Sequence, residues 1–168
     1  MAEKPGASDS AAGRDAAEVL RLMREARFAS LATIDAENGG PYASLVNIAL
    51  SASGKPLILI SSLARHTANL RADQAASLLI ADPAPADADP LASARATLSG
   101  RFDKLEDAGA VAEARERFIA VHPAAAGYAG FGDFGWWAMS IASAHLVAGF
   151  GRIRTISGSD LVLEALAG

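Results

Sequence analysis

The chain of 168 residues contains no cysteine, which excludes disulfides, thiolate catalysis and the usual structural zinc sites. Aromatic residues are few (6%), and basic residues are not in excess: 15 Lys and Arg stand against 19 Asp and Glu, a formal net charge of -4. A nucleic-acid partner favours a basic face, so this balance argues against one. A phosphate-bearing small ligand remains compatible with it, because a few local donors can hold such a group.

Signals for export or membrane insertion are also missing. The first residues, MAEKPGASDSAAG, lack the apolar core of a secretory signal and predict a flexible leader over 1–13, followed by one domain over 14–168. The longest uncharged stretch, 134–151, is interrupted by Ser140, Ser143 and His145 and predicts two buried strands, not a membrane span. A cytoplasmic location is expected.

Hydrophobic residues make up 51% of the chain, and their periodicity predicts many strands and few helices. Gly100 is predicted to mark a bulge. Strands that follow strands without helical crossovers indicate an antiparallel meander, so the predicted fold is mainly β (α+β), a β-barrel with peripheral helices. Helical patterns cover 15–26, 64–72, 106–121 and 160–166, and strand patterns cover 28–34, 42–50, 57–61, 76–81, 94–104, 135–141 and 145–156.

The segment LISSLARHTANL, residues 59–70, contains the most informative group of polar side chains. An apolar strand runs into two serines and then into a helix start, where unpaired backbone N–H groups suit a phosphate. The residues alone leave two interpretations open, a phosphate site and an ordinary helix capped by one of the serines. The donors that suit an anion are Ser61, Ser62, Arg65, His66 and Thr67.

The other candidate residues give weaker signals. The histidines lie far apart in the sequence without matching carboxylates and predict no metal site, so His122 and His145 are expected to be structural. Trp136 and Trp137, with the phenylalanines just before them, are expected in a core or a subunit interface, with a wall for a planar ring as the alternative. No residue stands out as a catalytic acid or base.

Five segments together carry a family resemblance: LATIDAENGGPYASLV, LILISSLARHTANL, ASLLIAD, ARATLSGRFDKLED, and YAGFGDF with HLVAGFGR. In this order, over about residues 28–156, they resemble the pyridoxamine 5′-phosphate oxidase-related, FMN-binding split-barrel superfamily, and within it the HugZ/HutZ-like haem-utilisation branch. The resemblance implies a six-stranded antiparallel split barrel that forms a homodimer, with two FMN sites between the subunits.

The same resemblance implies the cofactor-binding residues. The phosphate turn would consist of Ser61, Ser62, Arg65, His66 and Thr67. The strand along the flavin ring and ribityl chain would supply Ser44, Val46 and Asn47. Arg95 would reach FMN across the dimer, and residues 149–152 would lie near the partner's flavin. Haem-binding members of the branch carry a ligand histidine beyond the last strand, whereas no histidine follows His145 here, so FMN is expected ahead of haem.

The implied function is that of an FMN-dependent oxidoreductase, in which the flavin performs the redox step and the protein anchors and shields it. Two alternatives stay open. One is a non-catalytic protein that binds or stores flavin or haem in haem utilisation. The other is a fold that has lost its cofactor and persists as an interaction module. No catalytic residue is assigned.

Overall fold

The computed structural model describes residues 7–149 and 151–161. Within them are three α-helices and eight strands, so the strand count exceeds the predicted six. The helices are α1 (Ala7–Glu25), α2 (Arg65–Ala72) and α3 (Ala108–Val121). The strands are β1 (Phe28–Ile34), β2 (Pro41–Asn47), β3 (Ala49–Leu50), β4 (Pro56–Ser61), β5 (Ala75–Ala81), β6 (Arg95–Lys104), β7 (Phe134–Val147) and β8 (Ile153–Ser157).

One antiparallel sheet joins all the strands in the order β2-β1-β5-β6-β7-β4-β3, with β8 also paired to β7. The two ends of this order, β2 and β3, are consecutive in the chain and separated only by Ile48. Because one short segment forms both ends of the path, the sheet curls round on itself. The mainly β, α+β class predicted from the sequence is confirmed in the form of a half-barrel, and its extra strands come from the division of the 42–50 run and from the last hairpin.

The sequence predicted two strands over 135–141 and 145–156, whereas the structure has one long strand, β7, in the first part of this region. It runs without a break through the predicted gap at 142–144 and pairs with β6 along almost its whole length. Its other edge is shared by β4, opposite residues 134–138, and by β8, opposite 143–147. A register shift between Ser99 and Gly100 absorbs one extra residue of β7, Ala142, so the ladder continues; the predicted irregularity is found at Gly100, but the bulged strand is β7.

Two apolar cores lie on opposite sides of the sheet. Strand β4 shows the division, because Ile58 and Ile60 belong to the barrel interior whereas Leu57 and Leu59 pack towards α3. The neighbouring tryptophans divide in the same way, with Trp137 inside and Trp136 against the α3 side. Both are buried, which confirms the expectation of a core position.

The helix boundaries depart from the predictions at three places. Helix α1 begins at Ala7, inside the predicted leader, because its alanine-rich start favours helix and because Arg152 Nε donates a hydrogen bond to the buried carboxylate of Asp15 (2.8 Å). Ala64, not a serine, is the N-cap of α2. Ser157 caps only a 3₁₀ turn over Gly158–Asp160 that ends at Leu161, and residues 162–166 of the predicted last helix lie outside the described residues. No helix in the described part of the chain is long and apolar enough to cross a membrane.

Candidate functional site

The predicted phosphate turn folds as the link between β4 and α2, and it is tied to the loop before β7. Ser61 Oγ donates to Asp133 Oδ2 (2.7 Å), and Ser62 N donates to the Asp133 carbonyl (2.6 Å). Thr67 Oγ1 donates to the Ser61 carbonyl (2.6 Å). The hydroxyls of Ser61 and Thr67 are therefore engaged in the fold itself, and the predicted serine cap of α2 is wrong, because Ser61 bonds across to another loop.

A cavity of about 140 Å³ opens on this side of α2. Thr67 and Arg71, one turn apart on the same helical face, line it together with Ser62. Lys104 lines it from the end of β6, and Trp137 lines it from β7. Residues 132–135, where the preceding loop enters β7, complete this side. The cavity thus collects hydroxyl, indole and cationic donors from four parts of the chain.

Arg65 lies on a different side of α2 and is held by a carboxylate. Its Nε donates to Asp35 Oδ2 (2.6 Å), and its guanidinium carbon lies 5.3 Å from the ring centre of Tyr42. Asp35 is 3% exposed and also accepts hydrogen bonds from the backbone N–H groups of Glu37 and Asn38 (3.1 and 3.2 Å). The Arg65 guanidinium beside it keeps the pKa of Asp35 below its usual value, so the pair is charged at neutral pH.

His66 faces β2, where its Nδ1 lies 3.0 Å from Ser44 Oγ. The other ring nitrogen, Nε2, is buried without a partner among the described residues. Burial lowers the pKa of His66 below its ordinary value, so the ring is neutral at pH 7. On the same strand, Val46 is buried in the barrel core and Asn47 is exposed, so the two side chains point to opposite faces.

The remaining predicted residues lie away from α2. Arg95 begins β6 and donates to the Leu91 carbonyl (2.9 Å). It is separated from Lys104 by the full ten-residue strand, roughly 30 Å at about 3.3 Å per residue. Of the residues predicted near the partner's flavin, Gly149 and Gly151 adopt positive φ, Arg152 binds Asp15, and Phe150 lies outside the described residues.

The structure therefore divides the predicted site into three groups around one helix: Ser61, Ser62 and Thr67 beside the cavity, Arg65 beside Asp35, and His66 beside Ser44. Sequence reasoning missed Asp35, Arg71 and Lys104. Asp35 lies in a segment that reads only as a turn. Arg71 could have been found from its spacing, since it follows Thr67 by one helical turn. Lys104 has no local signal, because only sheet pairing brings it here.

The two other histidines each contact one group of a neighbouring element. His122 Nε2 lies 2.8 Å from the Ile48 carbonyl and links the end of α3 to the segment between β2 and β3. His145 is exposed on β7, with Nδ1 3.2 Å from Thr155 Oγ1 of β8. No group of three or more His, Asp or Glu side chains in the described ranges could hold a metal ion.

A family model described as "CREG, beta-barrel" matches residues 11–162. The chain belongs to the CREG beta-barrel family. Like its structural relatives in the pyridoxine phosphate oxidase family and in haem utilisation, this CREG beta-barrel protein is a split barrel, which confirms the predicted resemblance. A pyridoxine phosphate oxidase family protein from Clostridium acetobutylicum shares the fold with a TM-score of 0.67 at 14% identity, over 89% of this chain and 98% of the other.

Two relatives with higher identity are named as haem proteins. A non-canonical haem oxygenase, HOZ, from Arabidopsis thaliana chloroplasts is 38% identical over 96 residues, which are 57% of this CREG beta-barrel chain and 28% of the relative. A haem-binding protein from Mycobacterium smegmatis has a TM-score of 0.77 at 31% identity, over 95% of this chain and 61% of the other. The match thus spans less than two thirds of either relative.

Proposed function

We propose that this protein binds haem and takes part in haem utilisation. The observation that carries the proposal is that two relatives with more than 30% identity are named as a haem oxygenase and a haem-binding protein. The structural neighbours from the pyridoxine phosphate oxidase family lie at lower identity and support the fold alone. Haem therefore becomes the first candidate, ahead of the FMN expected from the sequence.

The residues around the α2 cavity fit a planar ligand with anionic arms. The cavity supplies cationic and hydroxyl donors, whereas Leu63 and Phe131 expose apolar side chains on the two loops that the Ser62–Asp133 hydrogen bond joins. Haem combines an apolar macrocycle with two carboxylates, so it needs both kinds of surface. When bound, haem would supply iron redox chemistry, while these residues bind its edge and exclude water from its face.

The test is a hemin titration of the purified full chain followed by visible spectroscopy. We expect a Soret band that differs from that of free hemin and saturates at a fixed stoichiometry. Addition of a reductant and oxygen then separates two activities: loss of the Soret band with formation of a bilin indicates an oxygenase, and a stable spectrum indicates a carrier. A titration that never departs from the spectrum of free hemin refutes the proposal.

FMN is the second candidate, and the fixation of Arg65 favours it. Asp35 binds Nε of the guanidinium and Tyr42 lies against it, while the exposed Glu37 carboxylate lies 3.6 Å from one terminal nitrogen without a hydrogen bond, so the terminal nitrogens keep donors for a phosphate. If FMN binds, Arg65→Ala weakens its affinity by about tenfold or more, whereas Lys55→Gln, a change at an exposed lysine on another part of the surface, leaves it unchanged. Equal affinity of the two variants for FMN counts against a flavin phosphate at Arg65.

We further propose a homodimer that forms through the outer face of β2, β1 and β5. Phe28, Leu45 and Leu79 are 62%, 69% and 45% exposed. Leu45 and Leu79 both lie opposite Ser30, one from each side, so they form one apolar surface, and such surfaces in soluble proteins often mark interfaces. A partner subunit is also what would bring a second Arg95 towards a cofactor site.

Light scattering at micromolar concentration tests the dimer. The wild-type chain is expected at twice its monomer mass of 17.2 kDa. The double change Leu45→Lys with Leu79→Lys places two charges on the apolar surface and should give monomers. Leu91→Lys, at an exposed leucine in a loop, is the matched control and should remain dimeric. A monomeric wild-type chain contradicts the proposal.

A further inference from the structure

We propose that the cavity between α2 and residues 132–135 is a binding site for a single carboxylate or phosphate group, held by Arg71, Lys104 and Trp137. The site stands on its own geometry. The inference rests on the proposed function only for the source of the anionic group, which would be a carboxylate arm of haem or, as the second candidate, the phosphate of FMN.

The two cations, both exposed, reach the cavity from different elements. Arg71 lies in the last turn of α2, and Lys104 is the last residue of β6, paired with Trp137 in the sheet. Both line the same cavity. Among the residues that the structure describes, no carboxylate oxygen lies within 4.0 Å of either side chain. Their charge is therefore available to a ligand.

Trp137 adds an indole N–H donor to the residues that line the cavity. The side chain is 3% exposed, lines the cavity and forms no side-chain hydrogen bond within the part of the chain that the structure describes. Nε1 lies 3.5 Å from the place that a Cβ would take at Gly135, and the Lys104 Cε lies 3.4 Å from that same place. A buried indole N–H normally finds a partner, and here the cavity is where a partner can sit. The absence of a side chain at Gly135 leaves that space open.

The charge of the lining favours an anion in spite of one acidic residue. Asp133 also lines the cavity, but its Oδ2 accepts the hydrogen bond from Ser61 (2.7 Å) and its carbonyl accepts from Ser62 N. Two cations thus face one carboxylate that is already hydrogen-bonded. Ser62 and Trp137 add uncharged donors. The lining of the cavity is therefore rich in hydrogen-bond donors and carries a net positive charge, which suits an oxyanion.

The size of the cavity decides which part of a ligand enters it. Its volume of about 140 Å³ is well below the roughly 300–1,000 Å³ of pockets that enclose a whole ligand of drug or cofactor size. One carboxylate or phosphate fits, and a macrocycle or a flavin ring does not. The ring must then lie outside, on the side of the exposed Leu63 and Phe131. The site is an anchor for one arm, separate from the Arg65–Asp35 pair.

The chain contains only two tryptophans, so the indole N–H signals in a ¹H–¹⁵N spectrum give a direct test. Titration of the full chain with inorganic phosphate, and separately with propionate, should shift the Trp137 indole signal in a saturable way. The Trp136 signal reports on the other core and should stay in place, which also shows that the protein remains folded. A Trp137 signal that does not respond to either anion overturns the proposal.

Variants assign the response to the two cations. Arg71→Gln and Lys104→Gln should each weaken phosphate binding by about tenfold or more, because each removes a charge-assisted hydrogen bond. Lys55→Gln, at an exposed lysine outside the cavity, is the matched control and should bind as the wild type does. If both cavity variants retain wild-type affinity for phosphate, the proposal is wrong.

Paired cofactors then separate the source of the anion from the proposed function. Hemin is compared with its dimethyl ester, which lacks the charged carboxylates, and FMN with riboflavin, which lacks the phosphate. A preference for the charged form that disappears in the Arg71→Gln, Lys104→Gln double variant supports the anchor and names its source. Phosphate binding at Trp137 without any hemin binding leaves the anion site standing and refutes the haem function. Hemin binding with equal affinity for the ester refutes a carboxylate anchor.

Discussion

Replacement of Gly100 by alanine gives the sharpest test of the sheet register. Gly100 follows the register shift in β6, where the backbone of β7 comes unusually close. A Cβ at this position would lie 2.1 Å from the Ser140 carbonyl oxygen and 3.1 Å from the Ile141 Cα, whereas real Cβ atoms essentially never approach a neighbour within 3.0 Å. The obstructing atoms belong to the backbone of a paired strand, so no rotamer change relieves the contact.

On the edge of β7 that faces away from β6, the backbone at Ile141 is equally close to Gly158. A Cβ at Gly158 would lie 2.0 Å from the Ile141 carbonyl oxygen, so β7 has little room to move away from β6. Insertion of extra atoms into a packed region costs about 1–3 kcal/mol. For a clash with fixed backbone we expect the upper end, about 3 kcal/mol of unfolding free energy.

Urea denaturation of Gly100→Ala and Gly130→Ala measures this effect with a matched control. At Gly130 a Cβ would meet nothing within 4 Å, so that variant also corrects for the lower backbone entropy of alanine in the unfolded state. A loss of about 3 kcal/mol corresponds to a fall in Tm of about 6–12 °C for a domain of this size. If Gly100→Ala differs from Gly130→Ala by less than about 0.5 kcal/mol, the register of β6 on β7 is not the one described.

Three further outcomes follow from single side chains. Burial depresses the pKa of His66, so its imidazole should titrate below the ordinary 6.5 in an NMR experiment, and a midpoint at or above 6.5 contradicts this. The folded state should also lose stability as the pH falls below 6.5, and the loss should be smaller in His66→Gln. The pKa of Asp35 is depressed by Arg65, so the ionised carboxylate stabilises the folded state above the ordinary pKa of 3.8, and this stabilisation is lost below it. The stability difference between the wild type and Asp35→Asn should therefore shrink from pH 7 to pH 3. A constant difference would exclude the ion pair as its cause. Leu78→Ala, at a fully buried leucine, should lower the unfolding free energy by about 2–5 kcal/mol in urea denaturation. Leu63→Ala, at an exposed leucine, should lower it by less than about 0.5 kcal/mol. Similar losses in the two variants would contradict the position of Leu78 in the barrel interior.

Most of the fold could be predicted from the sequence, because strand alternation and turn residues are local signals. The bounds of β1 at Phe28 and Ile34 are confirmed, as is a register irregularity at Gly100, although the extra residue belongs to β7. The errors have non-local causes. Ala142 to Ala144 interrupt the apolar pattern and suggest a turn, but pairing with β6 carries β7 through them. The additional strand in the 42–50 run arises because Ile48 lies where the chain leaves one end of the sheet path and joins the other.

The candidate site was less accessible to sequence reasoning, although its central segment was found. Neighbouring residues on a short helix point in different directions, so the donors of 61–67 do not converge on one point. Ser61 takes its partner from Asp133 and Arg65 from Asp35, and neither pairing has a trace in the local pattern. The assignment of all nine predicted cofactor-binding residues, Arg95 included, stays a prediction until a ligand is bound.

The dependence of the sheet on β7 has a consequence for synthesis on the ribosome. Strand β4, apolar on both faces, pairs along one edge only with the short β3 and along the other with β7, and Ser61 meets Phe134. At about 5–20 residues per second, roughly 4–15 s pass between the synthesis of these two partners. During that interval an apolar strand with an unpaired edge is exposed in the nascent chain. The barrel therefore cannot close before β7 has been synthesised, and we expect the yield of the protein to depend on chaperones that shield the strands made before it.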